Sequence, residues 1–188
     1  MTNEQLIWKY LYEKIRNVYG VAGLMGNLFA ESSLNPKCAN GVKKLGLTNE
    51  SYTLVVDEKK NDNFVTDGIA YGIAQWCYKT RKQGLLSLSR QRNVSIGDIS
   101  LQLDYLWQEL QLYKTVLNTL YSAKNIKEAS DIVMLKYEKP ANKSEAAKQK
   151  RISYGEKYLS KYGNATIQVN IDLKTAIELW EILERKML

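Results

Sequence analysis

The sequence has 188 residues, with 27 Lys or Arg against 20 Asp or Glu and a formal net charge of +7. At about 150 residues per domain this is roughly one domain, and 13 Tyr with 4 Trp exclude a mainly disordered chain. Histidine is absent, which excludes Ser-His-Asp and Cys-His triads and His-ligated zinc. The two cysteines, Cys38 and Cys77, are too few for a Cys₄ site. Both read as reduced core or near-core thiols. Catalysis must then come from carboxylates, tyrosines, lysines, serines or the backbone.

Met1 runs directly into Thr2-Asn3-Glu4-Gln5 without a basic, then apolar, leader, so no secretory signal is expected. Thr2 and Gln5 form a capping box for a helix running up to Gly20. A second helix, about 21–33, is apolar almost all round, as a buried helix is. It is too short and too Gly-interrupted to span a bilayer, and Pro36 stops it. A short helix over 49–57 precedes a polar loop, and 70–77 is the candidate strand or hairpin.

Helices follow over 80–92, 99–121, 126–137 (capped by Asn125 and Glu128) and 144–162, with Gly163 as the stop. Residues 164–170 read as a linker or short strand, and Asp172 caps an amphipathic tail helix that could pack on the core or contact a partner. The expected division is therefore a domain over 1–163 with a linker and C-terminal helix over 164–188.

Glu31 stands out physically. It is the only charged residue between Arg16 and Lys37, and it lies near the C-terminal end of the apolar helix. Burial and the negative end of the helix dipole both favour the uncharged acid, the form needed for proton donation near neutral pH. Tyr71, Gln75 and Trp76 join aromatic faces to an amide beside Gly68 and Gly72, a combination that suits a sugar, although taken alone it is more often an ordinary hairpin with core aromatics. Glu109 and Asp104 read as solvated-face charges, and Glu138 with Arg151 as a structural ion pair.

Gly26-Asn27-Leu28-Phe29-Ala30-Glu31-Ser32-Ser33-Leu34-Asn35-Pro36, followed by Tyr71-Gly72-Ile73-Ala74-Gln75-Trp76, resembles the phage tail-type lysozymes, distant relatives of goose-type lysozymes and lytic transglycosylases. The resemblance continues through residues 81–86 and 102–110 to Tyr137-Glu138-Lys139-Pro140-Ala141 and Arg151, covering about residues 5 to 162. It implies a mainly α, lysozyme-like α+β fold, a helical bundle around a buried central helix with a short β-hairpin beside the cleft. It also implies a cofactor-free muramidase, with no metal, that cleaves the β-1,4 bond between N-acetylmuramic acid and N-acetylglucosamine.

By the same resemblance Glu31 is the general acid and Asp67 positions water, with Asp62 and Asp57 as weaker choices. Cys77 stands where some relatives carry a second acid. Tyr71, Gln75, Trp76 and Tyr137 are the substrate-binding expectation. If Asp67 held water about 6.5–9.5 Å from Glu31, inverting hydrolysis would follow. Otherwise the muramyl 6-hydroxyl can attack and leave an anhydro-sugar, as in a lytic transglycosylase.

The expected partner is peptidoglycan, in a Gram-positive wall, with self-association or partner contact through the tail helix. Membrane insertion is not expected. Delivery would be by phage lysis, a tail particle or a larger parent protein. A catalytically silent wall-binding or tail-structural module is the competing reading. A nucleic-acid binder rests on net charge alone, since the basic residues form no single stripe.

Overall fold

The computed structural model describes residues 1–60 and 63–187. Thr2 opens α1 (Asn3–Ile15) with the expected reciprocal cap. The helix ends before Gly20, the predicted stop, because Asn17 caps a new helix by accepting from the Tyr19 and Gly20 amides. That helix is α2 (Val18–Ser32), and every residue from Gly20 to Leu28 in it is buried.

Small residues explain how α2 can be wrapped so closely. A Cβ on Gly26 would lie 2.3 Å from the Arg151 carbonyl oxygen, so the helix Glu145–Tyr158 (α8 below) meets α2 backbone to backbone. Only glycine permits that approach.

The segment between the helices carries a two-stranded antiparallel sheet. β1 (Ala39–Asn40) pairs with β2 (Ala70–Tyr71), aligning Ala39 with Tyr71. Between the strands lie a 3₁₀ turn (Val42–Leu45) and α3 (Asn49–Asp57). The hairpin expected at 70–77 forms, with Tyr71 and Trp76 exchanging backbone hydrogen bonds of 3.0 and 2.8 Å. Its tight turn places Gly72 at φ 78° and Gln75 at φ 46°.

The later helices are α4 (Lys79–Arg92), α5 (Ile99–Leu112), α6 (Lys114–Ser122), α7 (Ile126–Ile132), α8 (Glu145–Tyr158) and α9 (Asn164–Met187). The single helix expected over 99–121 is broken at Tyr113, whose φ −105° and ψ 63° are not helical. α7 does not end as an α-helix but widens into a π-helical turn, Val133–Glu138. A second π turn, Leu159–Gly163, carries α8 directly into α9. Gly163 is therefore not a stop, residues 164–170 are helical rather than linker or strand, and Asp172 lies inside α9.

The protein is mainly α with one small sheet, assembled around α2, as the sequence implies. Thr66 to Ile69 precede β2, and Asp62 lies outside the described residues. Residues 171–180 of α9 are exposed, including Trp180 at 65%. Among the described residues no helix is long and apolar enough to cross a membrane.

Candidate active site

Glu31 occupies the last turn of α2 and opens onto a cleft of about 650 Å³. Cys38, Asn40, Lys43, Lys44 and Asn49 form the facing wall. Ser32, next to it, ties the helix end to the hairpin by donating to the Ile73 carbonyl at 2.9 Å. The helix end that carries Glu31 and the hairpin are thus held together. The surroundings of Glu31 differ from the apolar ones expected. Its side chain is 20% exposed, and Arg151 Nη2 from α8 donates to its Oε1 at 2.6 Å. Arg151 therefore pairs with Glu31 and not with Glu138.

The aromatic residues expected to line a groove are placed differently. Tyr71 and Trp76 have no exposed surface, and Tyr137 is 2% exposed. All three are core residues with anchored polar tips, which corrects their expected role as sugar-stacking faces. Tyr71 shares a hydroxyl–hydroxyl hydrogen bond of 2.7 Å with Thr53. Trp76 Nε1 and the Tyr137 hydroxyl both donate to Glu109 Oε2, at 2.6 and 2.7 Å.

Glu109, expected on a solvated face, is a buried hub. Besides those two donors it accepts a two-pronged ion pair from Arg81, at 2.7 and 2.8 Å. Arg81 also lies over the Tyr137 ring at 4.8 Å. The bidentate geometry and low exposure make this charge-assisted contact a strong one.

Gln75 is likewise structural. Its Nε2 donates to the Cys38 and Gly72 carbonyls at 3.0 and 2.9 Å, bracing the cleft wall from behind. Its Oε1 is enclosed without a partner. Gln102 completes the brace, accepting from the Ile73 amide and donating to the Pro36 and Ile96 carbonyls. The two thiols are free, Cys38 half-buried in the cleft wall and Cys77 exposed, so the second is not a core residue. Burial pushes the Cys38 thiol above its usual range.

Asp67 is occupied. Lys82 Nζ and the Ile69 amide donate to its Oδ1 at 2.6 and 3.0 Å, and the Tyr52 hydroxyl donates to its Oδ2 at 2.6 Å. Lys82 is fully buried, and the cost of burying the ammonium lowers its pKa despite this carboxylate. Asp57 accepts from the Ser95 hydroxyl and the Ile96 amide. Both aspartates act as joints between loops. Neither lines the cleft, and among the described residues Glu31 is the only carboxyl that does.

A group that the sequence left as a structural ion pair lies beside the site. Glu138, at the end of the first π turn, has an enclosed Oε1 without a partner. Burial, then the charge of Glu31, pushes its carboxyl up to about 8. Among the described residues no group of three or more His, Cys, Asp or Glu side chains could hold a metal ion.

A model of the phage tail lysozyme family matches residues 2–162. A search of curated proteins returns no match.

Proposed function

The chain belongs to the phage tail lysozyme family, lysozyme-like enzymes of the cell wall, and from that premise we propose that it cleaves the β-1,4 bond between N-acetylmuramic acid and N-acetylglucosamine with Glu31 as general acid. The observation that carries this is the position of Glu31. It is a partly exposed carboxyl at the end of a rigid buried helix, facing a sugar-sized cleft. Proton transfer from Glu31 to the glycosidic oxygen lets the C–O electron pair leave with the departing sugar and creates an oxocarbenium-like centre. General-acid assistance of this kind contributes about 10²–10⁴-fold.

The fate of that centre depends on what attacks it. Hydrolysis through Asp67 is the less supported route, because Lys82, Tyr52 and the Ile69 amide already occupy both of its oxygens. Internal attack by the muramyl 6-hydroxyl needs no second carboxylate. Glu31, having lost its proton, can accept the one that the hydroxyl releases. This second reading predicts 1,6-anhydro products.

The substrate is peptidoglycan, and the route to it is that of a phage particle acting on a wall. Lys43 and Lys44 on the cleft wall suit the carboxylates of stem peptides. The test is loss of turbidity of purified bacterial walls with wild type and Glu31→Gln, followed by mass spectrometry of the released muropeptides. Wild-type inactivity on several wall types, or full activity in the variant, overturns the proposal. Reducing ends indicate hydrolysis and anhydro-muropeptides internal capture.

A further inference from the structure

Lysines from two elements distant in sequence meet at one cavity of about 520 Å³. Lys114 and Thr115 line it from the start of α6, and Lys136 and Lys139 from the end of the first π turn. None of its lining residues lines the Glu31 cleft. Two backbone features bring the lysines together. Tyr113, with φ −105° and ψ 63°, breaks the chain between α5 and α6. Lys139 leaves the π turn at φ 50°, and its ammonium lies over the Tyr113 ring at 5.9 Å.

Like charges brought to one cavity repel one another, and an anion placed among them removes that cost. Among the described residues no acidic side chain lines the cavity, and none of the three lysines is in a salt bridge. The start of α6 adds to the same field. Its N-cap, Tyr113, makes no side-chain capping bond, and the first intrahelical bond runs from the Leu117 amide to the Tyr113 carbonyl. The amides of Lys114, Thr115 and Val116 precede that bond, at the positive end of the helix dipole. Three ammonium groups beside a row of amides suit an anion with several oxygens, as a phosphate group has.

We propose that this cavity binds the phosphodiester of a wall polymer, a chain of polyol phosphates, and so holds the protein on the wall at a second point. Many bacterial walls carry such chains, and the family to which this protein belongs acts on walls. Nucleic acid, another phosphodiester polymer, is the poorer fit, because single strands are held by bases stacked on open aromatic faces. The aromatic ring of this cavity, Tyr113, lies under Lys139 and packs edge-on against Tyr137, with centroids 5.3 Å apart. Holding a wall requires no bond cleavage, so the site stands whether or not Glu31 is the acid.

The test compares the full chain with two triple variants of equal net charge. One replaces the cavity lysines, Lys114→Gln, Lys136→Gln and Lys139→Gln. The other replaces Lys9→Gln, Lys79→Gln and Lys143→Gln, and all six side chains are exposed, so neither set should disturb the fold. Affinity for soluble poly(glycerol phosphate) is measured by titration calorimetry over a range of salt. Inorganic phosphate and a single-stranded DNA with the same number of phosphates serve as comparison ligands. The cavity variant is expected to bind the polymer about tenfold or more weakly, with its salt slope reduced by about one per lysine. The other variant should stay within about twofold of wild type, as lysines outside the cavity contribute only to the general field. Absence of binding in the wild type, or equal losses in the two variants, overturns the proposal. So does DNA or inorganic phosphate bound as tightly as the polymer.

Discussion

Arg151 Nη2 lies 2.6 Å from Glu31 Oε1, joining residues 120 positions apart across the α2–α8 contact. The pair is mostly buried, with side-chain exposures of 10% and 20%. Arg151→Ala is expected to lower stability by about 2 kcal/mol, less than for a fully buried pair because Glu31 retains some solvent. It should also reduce wall cleavage at least tenfold, since the carboxyl loses the contact that fixes its rotamer. Denaturant unfolding and turbidity assays measure the two effects. Unchanged activity would remove Arg151 from the site.

The hub at Glu109 gives a prediction about coupling. Trp76→Phe and Tyr137→Phe each remove one donor from Glu109 Oε2, the first also shrinking a fully buried indole to a phenyl ring. Each should cost about 1–3 kcal/mol. Because both serve one oxygen, the double variant should depart from additivity by about 0.5 kcal/mol or more. Additive losses would show that the two donors act independently.

Gly26→Ala tests the helix contact. The new methyl would sit 2.3 Å from the Arg151 carbonyl oxygen and 2.7 Å from the Gly155 amide nitrogen, backbone atoms that cannot swing aside. A loss of about 3 kcal/mol is expected. Moving α8 also moves Arg151, so cleavage should fall together with stability.

Glu138 gives the protein a pH-dependent stability of defined sign. Its folded pKa, near 8, is above the usual 4.5, so the native state holds a proton that the unfolded chain has released. The stabilisation is complete below the unfolded value and is lost as pH rises through about 8. The melting temperature should fall by about 5 °C or more between those limits, and Glu138→Gln should flatten that fall. A wild-type curve that is level across this window contradicts the assignment.

The tail helix should be dispensable for the fold. Residues 171–180 are exposed, whereas Thr166 accepts from Trp8 Nε1 at 3.1 Å. A chain ending at residue 170 keeps that bond and should melt within about 2 °C of the full chain. A larger drop would assign α9 to the core domain.

The helices, and the place of Glu31 at the end of the buried one, were legible because their signals are local. Caps at Thr2 and Asn125, the apolar run around Val21 and the punctuation of Pro36 lie within a few residues of what they control. The ion pair of Glu31 and the hub at Glu109 were not, because their partners come from distant elements and no periodicity joins residue 109 to 76, 81 and 137. Tyr71 and Trp76 show the converse difficulty. An aromatic beside a glycine turn serves a core as well as a sugar, and only burial separates the two. The π turns have no pattern of their own; both fall where an ordinary helix would read equally well.

Backbone-to-backbone seating of α2 has an evolutionary corollary. The proposed proton donor, Glu31, inherits its coordinates from main-chain atoms, while the opposing wall over 38–49 is a short strand, a turn and a capped helix start. That wall can be exchanged among chains without disturbing the donor. Diversification toward new wall chemotypes should therefore concentrate there, and grafting this segment is the natural route to retargeted variants.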